Sequence, residues 1–357
     1  MTNTLPYLGV IEGFFGRSWT FEQRHAYAKF LHQNGYRFYI YAPKNDPYLR
    51  KSWQQDWSLE MTEQLHTLVK HYQGLNLDFG LGLSPFEIYH HYNKEAQQAL
   101  KHKIERLNQL NIDLLCLLFD DMRGDLPDLA KTQIKITEDV LAHTTAKKVI
   151  MCPTYYSFDP VLEHVFGEMP TNYLQELGKG LPSEIDIFWT GPKVCSKEYP
   201  EDHLEQVIQL LGRKPFLWDN YPVNDGAKLS QYLHLKPFEN RPSRLADLTS
   251  GHAVNPMNQA WLSRIPLHSL PHSYAQGKSY HPTNALESSL TQICDKKLRL
   301  QIAKNINQFQ LQGLEALNRG QRALLIQLYK KFNSPYADEI IAWLEDEYRF
   351  DPECLTD

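Results

Sequence analysis

The 357-residue sequence lacks the features of several large classes of protein. It has 5 cysteines, an odd and scattered set that does not form the disulfide framework of a small secreted domain. No apolar run approaches the ~20 residues that a membrane-spanning helix needs. Residues 1–13 show no basic segment followed by an apolar region, so they do not predict a signal peptide. These absences predict a soluble, cytoplasmic protein.

Charge and short motifs exclude further classes. Lys and Arg number 37 against 42 Asp and Glu, giving a net charge of −5, and no basic run is present. Binding to nucleic acid or to an anionic membrane is therefore not expected. The sequence has no His/Cys cluster with ligand spacing, so no metal site is predicted. A Gly-Leu-Gly at residues 80–82 lacks the remaining glycine of a phosphate-binding loop, and we predict no cofactor.

Eight short apolar or β-rich runs alternate with segments of helical pattern. With 42% apolar residues, the chain can form a large core. Strands alternating with helices predict a parallel sheet, and eight such units predict a (β/α)8 TIM barrel of the α/β class. A doubly wound sheet is the alternative, but its nucleotide-binding fingerprint is missing. The runs cover residues 8–12, 37–42, 77–83, 114–119, 148–152, 185–189, 215–218 and 251–254.

The pattern changes at about residue 284, after which leucines and isoleucines recur at helical spacing without strand signals. We therefore predict a catalytic barrel over residues 1–280 and a small C-terminal helical appendage over residues 281–357. The acidic end of the chain, residues 344–357, is predicted to be solvated surface.

Asp120 and Asp121 directly follow the apolar run LLCLLF. A run so short and apolar is typical of a strand buried on both faces. Because burial of an unpaired charge is unfavourable, the two carboxyl groups should lie just beyond the end of that strand, where such sheets bind their ligands. Neighbouring carboxyl groups should titrate together, with one of them protonated near neutral pH. Spacing alone leaves a helix cap and a catalytic pair equally open.

Polar and aromatic residues also follow the other predicted strands. In a barrel these strand ends face one pocket, and carboxylates, amides and aromatic rings are suited to binding a sugar. Taken singly, each residue has a structural interpretation as a turn glycine, a core aromatic or a helix cap. The set comprises Glu12, Gly13, Phe14, Lys44, Asn45, Asp46, Ser84, Tyr155, Tyr156, Thr190, Trp218, Asp219, Asn220, Asp225 and Asn255.

Seven segments at these strand ends, in this order, closely resemble glycoside hydrolase family 84, the β-N-acetylglucosaminidases that include the protein O-GlcNAcases. The resemblance covers roughly residues 8–275 and agrees with the barrel that was predicted from the strand count. The segments are IEGFFGRSW, YIYAPKNDPY, LLFDD, CPTYY, IFWTGPKV, WDNYPVND and VNPMNQA.

The resemblance implies a retaining mechanism in which the 2-acetamido oxygen of the substrate attacks and forms an oxazoline, outside the usual two-carboxylate scheme. By motif, Asp120 is similar to the residue that orients the acetamido group and accepts its N–H. Asp121 is similar to the general acid that later activates water. One carboxylate would then stay anionic beside a neighbour that delivers a proton.

The resemblance also implies which residues bind the sugar. A glycine would let the backbone approach the ring, a tyrosine would close over the acetamido group, and a tryptophan would form the wall around its methyl. Asp219, between two such residues, is expected to point the other way. The implied substrate-binding residues are Gly13, Lys44, Tyr156, Thr190, Trp218, Asn220, Asp225 and Asn255.

Two departures from the family pattern concern the rim of the pocket. Tyr155 stands where a polar residue is expected, and Pro266 and Pro271 should interrupt the segment after Asn255. The expected partner is a GlcNAc-bearing glycoprotein or glycan, with the aglycone open. The oligomeric state is also open, a homodimer included.

Two other functions remain open at this point. A related barrel could bind GlcNAc-bearing glycans without turnover. A two-carboxylate glycosidase could instead use a distant glutamate such as Glu12 or Glu87.

Overall fold

The computed structural model describes residues 5–356. The first four residues, which belong to the segment in which no signal peptide is predicted, lie outside the described residues, as does residue 357. Eight parallel strands form the centre of the fold, one in each predicted run. They are β1 (Leu8–Glu12), β2 (Phe38–Tyr41), β3 (Asp78–Leu83), β4 (Leu114–Leu118), β5 (Lys148–Cys152), β6 (Asp186–Trp189), β7 (Phe216–Asp219) and β8 (Gly251–Val254).

The strands pair in sequence order and close into a barrel, because β1 pairs with both β2 and β8. Val10 lies opposite Tyr39 on one side and Val254 on the other. The (β/α)8 architecture that was predicted from the sequence is confirmed. Since all eight strands are parallel, their C-terminal ends meet at one face, where their loops form a common site.

Helices surround the barrel and continue beyond it. Local sequence sets several of their ends: the Thr20 hydroxyl accepts a hydrogen bond from the Gln23 N–H, and Ser58 caps the second helix in the same way. The helices are α1 (Phe21–Gln33), α2 (Leu59–Gly74), α3 (Lys94–Asn108), α4 (Leu129–His143), α5 (Pro160–Phe166), α6 (Tyr173–Gly180), α7 (Glu201–Leu211), α8 (Leu245–Leu248), α9 (Ala260–Gln276), α10 (Pro282–Ile293), α11 (Lys296–Asn307), α12 (Arg319–Tyr329) and α13 (Pro335–Leu344).

Two apolar clusters stabilise the molecule. The larger includes the barrel strands and their surrounding helices. The smaller lies mainly among α9 to α13, includes the buried Ile302, Tyr329 and Trp343, and takes in Leu262 and Ile265 from α9. Helix α9 therefore contributes to both clusters and joins the barrel to the C-terminal helices. Within residues 5–356, no helix is both long and apolar enough to cross a membrane.

Helix α9 departs from expectation, because it continues through Pro266 and Pro271. A proline inside a helix removes the hydrogen bond to the carbonyl four residues earlier. For Pro271 that carbonyl belongs to Leu267, and it accepts a hydrogen bond from the Tyr36 hydroxyl at 2.7 Å. A tertiary contact thus replaces the lost helical hydrogen bond, which local sequence patterns do not reveal.

Glu339 on α13 is a buried carboxyl group that caps another helix. It accepts hydrogen bonds from the backbone N–H groups of Trp261 and Leu262, at 3.0 and 2.9 Å, in the first turn of α9. These N–H groups have no partner inside the helix itself. Burial raises the pKa of Glu339 from 4.5 to about 8, although these hydrogen bonds oppose the shift.

We expect Glu339 to make the folded state less stable as pH rises. Between pH 4.5 and about 8, the carboxyl group is protonated in the folded chain and ionised in the unfolded chain. Unfolding then releases a proton, so the free energy of unfolding falls by up to about 1.4 kcal/mol per pH unit. Denaturant unfolding, measured at several pH values across this range, should show that the free energy of unfolding falls more steeply with pH for wild type than for Glu339→Gln. Glu345→Gln, at the end of the same helix, should behave as wild type, and equal slopes for all three proteins would contradict this assignment.

Candidate active site

A cavity opens at the C-terminal ends of the strands, where barrels of this kind bind their ligands. All ten residues proposed from the sequence line it, although they come from seven strand ends. They are Gly13, Lys44, Asp120, Asp121, Tyr156, Thr190, Trp218, Asn220, Asp225 and Asn255. The barrel therefore brings them together, and their individual roles stay predictions.

Lys44 joins the two adjacent aspartates. Its ammonium group donates to Asp120 Oδ2 and lies 2.9 Å from Asp121 Oδ2. The other oxygen of Asp120, Oδ1, is buried and has no hydrogen-bond partner among residues 5–356. Buried polar atoms are seldom left unpaired. This oxygen is thus an acceptor for a group that a ligand would bring.

Burial and charge act against each other in this cluster. Burial raises the pKa of Asp120, the Lys44 charge opposes that rise, and the Asp121 charge adds to it. Burial alone would lower the pKa of Lys44, but the two carboxylates raise it, so the ammonium stays charged. One ammonium between two carboxyl groups is balanced when the pair holds a single proton. The cluster can therefore present one acid and one base at the same time.

Asp121 has an unusual backbone conformation, with φ of 54°. A left-handed residue other than glycine is uncommon, although aspartate adopts this conformation more readily than most residues. It turns the chain directly after β4, so two consecutive side chains can line one cavity. In a regular strand, consecutive side chains would point to opposite faces.

A chain of amide hydrogen bonds connects β7 and β8 on the other side of the cavity. Asn220 Oδ1 accepts from Trp218 Nε1 at 3.0 Å and from Asn255 Nδ2 at 2.9 Å. Asn255 Oδ1 in turn accepts from the Gly13 N–H at 3.2 Å, and Asn220 Nδ2 donates to the Val194 carbonyl. Asn220 thus positions Trp218 and Asn255, a role that the sequence did not predict.

Gly13 is required by the close approach of Trp218. A Cβ added at Gly13 would lie 2.5 Å from an atom of the indole ring, too close for any side chain. The next turn is held by Asp225, whose Oδ2 accepts from the Phe15 N–H at 2.8 Å. The loop after β1 is therefore fixed from two sides at the cavity.

Tyr156 and Thr190 form the part of the wall that follows β5 and β6. The Thr190 hydroxyl donates to the Lys193 carbonyl at 3.0 Å, and the Thr190 N–H donates to the Tyr156 carbonyl at 2.9 Å. Burial raises the pKa of the Tyr156 hydroxyl, and the charges of Asp121 and Asp120 add to the rise. The phenol therefore stays protonated and can donate a hydrogen bond.

Asp219 points away from the cavity, as was expected. It is fully buried and binds both Arg241 and His252. Burial raises its pKa, but the Arg241 charge and the hydrogen bond with His252 outweigh that effect and lower it to about 2. Asp219 is a structural ion-pair residue, because alternation along β7 puts only its neighbours at the site.

The two glutamates considered as alternative nucleophiles do not line the cavity. Glu12 is fully buried in an ion pair with Arg24, at 2.8 and 2.6 Å, and accepts from the Tyr39 hydroxyl. Glu87 lies on the surface, outside the cavity wall. Their positions give no support to a two-carboxylate glycosidase that uses either residue.

The sequence interpretation missed part of the wall. Apolar side chains, three thiols and one hydroxyl complete it, and half of these residues (Phe15, Cys152, Val194 and Val223) fall within the quoted motifs but were not proposed as site residues. The acidic end of the chain, predicted to be solvated surface, instead makes specific contacts, because Glu353 binds Arg50 and Lys51 and two later residues reach the cavity. The additional residues are Phe15, Cys152, Val194, Cys195, Val223, Leu229, Cys354 and Thr356. Among residues 5–356, no group of three or more His, Cys, Asp or Glu side chains could hold a metal ion.

Comparison with known proteins identifies the family. The family model for beta-N-acetylglucosaminidase matches residues 8–307, most of the chain. The chain belongs to the beta-N-acetylglucosaminidase family. Membership confirms the resemblance that the seven motifs carry, and it supports the predicted enzyme class, a glycoside hydrolase.

Two relatives and one solved structure are similar to this chain over most of its length. Protein O-GlcNAcases of Mus musculus and Rattus norvegicus are each 31% identical over 271 residues, which is 73% of this chain. The chain spans only 29% of the length of these relatives. A mutant O-GlcNAc hydrolase of Thermobaculum terrenum has a similar structure, with a TM-score of 0.78 and 29% identity, over 95% of this chain and 81% of that one.

Proposed function

We propose that this chain removes terminal β-linked GlcNAc from glycoproteins or glycans with retention of configuration, using the substrate's own 2-acetamido oxygen as nucleophile. The observation that carries the proposal is the unpartnered Oδ1 of Asp120, buried beside Asp121 in the cavity. A protein nucleophile would need a second carboxylate across the sugar, whereas these two carboxyl groups are adjacent.

Asp120 would act on the acetamido group. As the carbonyl oxygen attacks C1, the amide nitrogen becomes more acidic, and Asp120 Oδ1 accepts its N–H. Asp120 is only 5% exposed, so little water competes for that hydrogen bond. Lys44 holds the other oxygen and thereby fixes the orientation of the carboxylate.

Asp121 would transfer the proton to and from the glycosidic oxygen. It protonates the leaving oxygen as the bond from C1 to that oxygen breaks, and it then takes a proton from the water that attacks C1. This second attack reopens the oxazoline and restores the acetamido group. Proton transfer by one group in both directions is usual in retaining hydrolysis.

The remaining residues would hold the sugar. The Lys44 ammonium has three donors, of which two serve the aspartates, so one can bind a sugar hydroxyl. Trp218 and Thr190 would enclose the acetamido methyl, and Tyr156 would donate to the same group. The sugar hydroxyls would be contacted by Asp225, Asn220 and Asn255, or by residues that these three hold in position. Gly13 would allow the backbone to approach the sugar ring.

The relatives' names support protein-linked GlcNAc as one substrate. Two relatives are named Protein O-GlcNAcase, and the structural neighbour is named an O-GlcNAc hydrolase. We propose that the aglycone of this chain includes serine or threonine of a polypeptide. The shared sugar site alone also accommodates GlcNAc on other glycans.

Hydrolysis of a pair of aryl glycosides tests the mechanism. We expect the chain to release the aryl group from an aryl β-N-acetylglucosaminide but not measurably from the matching β-glucoside, which lacks the acetamido nucleophile. A trifluoroacetamido analogue should react more slowly, since fluorine withdraws electrons from the attacking oxygen. Rates of aryl release at equal substrate concentration give the comparison.

Asp120→Asn, purified identically, controls for contaminating activity and should be much slower than wild type. Equal hydrolysis of both glycosides would overturn substrate assistance and indicate a protein nucleophile. If calorimetry shows that the chain binds GlcNAc but no glycoside yields product, the chain is a binding protein instead.

A further inference from the structure

The segment over residues 349–356 reaches the wall of the catalytic cavity. Its Cys354 and Thr356 lie in the same cavity wall as Asp121 and Tyr156. The barrel residues that it meets are about 200 to 300 positions earlier in the chain, so this is a tertiary contact and not a local turn. A polypeptide segment therefore already lies where part of a substrate would enter.

Glu353 anchors this segment to two cations that follow β2. Its Oε2 accepts from Arg50 Nη1 at 2.8 Å, and its Oε1 accepts from Lys51 Nζ. The hydrogen bonds from Lys51 and Arg50 lower the pKa of Glu353, so it is held as a carboxylate. A turn presents it, because Asp351 accepts the N–H groups of Glu353 and Cys354 at 2.9 and 3.0 Å.

Arg50 is a preformed partner for such a carboxylate. It is only 5% exposed, and its guanidinium lies 5.4 Å from the Phe15 ring centre and 5.0 Å from that of Phe86. The two rings fix the plane of the guanidinium, which favours directional hydrogen bonds to carboxylates. Its Nε is buried without a partner among residues 5–356, so the observed contact with Glu353 leaves donor capacity unused.

Arg50 also belongs to the surroundings of the catalytic pair. Phe15 lies beneath both Arg50 and Lys44, with the Lys44 ammonium 5.7 Å from the ring centre, and Phe15 itself lines the cavity. The Arg50 charge contributes to lowering the pKa of Asp120 against the larger effect of burial. A carboxylate that binds Arg50 is therefore close to the reacting sugar.

We infer that Arg50 and Lys51 form a carboxylate-binding subsite that takes an acidic side chain of a polypeptide aglycone, and that residues 351–356 fill this subsite in cis until substrate displaces them. The inference rests on the proposed function and names a substrate feature for it. Chains of GlcNAc carry no charge and would leave the cation pair unused. A polypeptide with a nearby Asp or Glu would pair with it, as Glu353 does.

A set of glycopeptides tests the substrate side of this inference. Each carries GlcNAc on one threonine and a single Glu two, three, four or five positions before it, with a matched Gln peptide for each. We expect at least one placement to give a KM about fivefold lower than its Gln partner, the size of a well-formed ion pair at a partly exposed site. Lys51→Gln should bring that ratio towards one, whereas Lys131→Gln, which removes an exposed lysine of α4 paired with Asp128, should not.

A variant that weakens the hold on residues 351–356 tests the second part of the inference, that substrate displaces this segment. Glu353→Gln should raise kcat/KM for an aryl β-N-acetylglucosaminide and for the glycopeptides, because the segment no longer competes. Glu345→Gln, which removes an acid that pairs with Lys330 and not with Arg50, is the matched control and should leave kcat/KM unchanged. If the Glu and Gln glycopeptides have equal KM values at every placement, in wild type and in Glu353→Gln, the subsite is overturned. An unchanged kcat/KM in Glu353→Gln would overturn displacement by substrate.

A binding measurement separates these outcomes from failure of the proposed hydrolysis. A fluorescent peptide with the sequence of residues 349–356, RFDPECLT, should bind the Glu353→Gln chain. A copy with Gln in place of its Glu should bind about fivefold more weakly. Aryl hydrolysis plays no part in this readout, so an inactive chain would overturn the proposed function while the peptide pair still decides the subsite. Equal binding of both peptides would overturn the subsite.

Discussion

Asp121→Asn is expected to lower hydrolysis of a β-GlcNAc glycoside with a poor leaving group by about 10²–10⁴-fold, the usual size of general acid–base catalysis. The asparagine amide keeps the shape of the side chain but cannot deliver a proton to the glycosidic oxygen. A serine- or threonine-linked GlcNAc peptide is such a substrate. Its hydrolysis rate at saturating concentration, against wild type, gives the loss.

The leaving group separates the roles of the two aspartates. A strongly acidic phenol departs without protonation, so Asp121→Asn should lose far less activity in releasing it. Asp120→Asn should lose a similar factor with good and poor leaving groups, because oxazoline formation needs Asp120 in both cases. For a series of aryl β-N-acetylglucosaminides, the logarithm of the rate is plotted against the pKa of the phenol. The slope should be steep for Asp121→Asn and close to that of wild type for Asp120→Asn.

Asp125→Asn is the matched control. Asp125 follows the pair by four positions but binds Arg123 outside the cavity wall, so its loss should leave the rates unchanged. Equal slopes for Asp120→Asn and Asp121→Asn would contradict the assigned roles. Full activity of Asp121→Asn on the glycopeptide would contradict acid catalysis by that residue.

The strands and the main site residues could be predicted because local sequence encodes them. An apolar run such as that before Asp120 is buried on both faces wherever it occurs, and parallel strands must bring their polar ends together. The alternation of side chains also predicts that Asp219 points away between Trp218 and Asn220. These features depend on spacing along the chain, not on distant partners.

The features that were missed depend on contacts between distant residues. Pro271 can lie inside α9 because Tyr36, 235 positions earlier, binds the carbonyl that it leaves free. The acidic end of the chain was predicted to be solvated surface, because nothing in its composition points to Arg50. Lys44 was expected at the sugar, but its contact with both aspartates depends on where β2 and β4 end in the barrel. Such pairings need the closed barrel before they can be seen.

Arg24→Met is expected to be the most destabilising single substitution among the buried ion pairs of the barrel. Glu12 is fully buried, and removal of Arg24 would leave its carboxylate without a counter-charge. Breaking a buried pair in this way costs about 3–5 kcal/mol. Chemical denaturation should therefore show a large fall in the free energy of unfolding, or a chain that does not fold.

A triple variant tests whether the loss comes from the stranded charge. Glu12→Met, Arg24→Met and Tyr39→Phe together remove the pair and the hydroxyl that donates to it, leaving no buried polar group behind. Apolar replacement of a whole buried pair is often neutral or stabilising, so this variant should recover most of the stability. Since Glu12 lies outside the cavity, the triple variant should also keep its aryl β-N-acetylglucosaminidase activity. A folded but inactive triple variant would show that Glu12 takes part in catalysis, and would revive the two-carboxylate mechanism that its burial argues against.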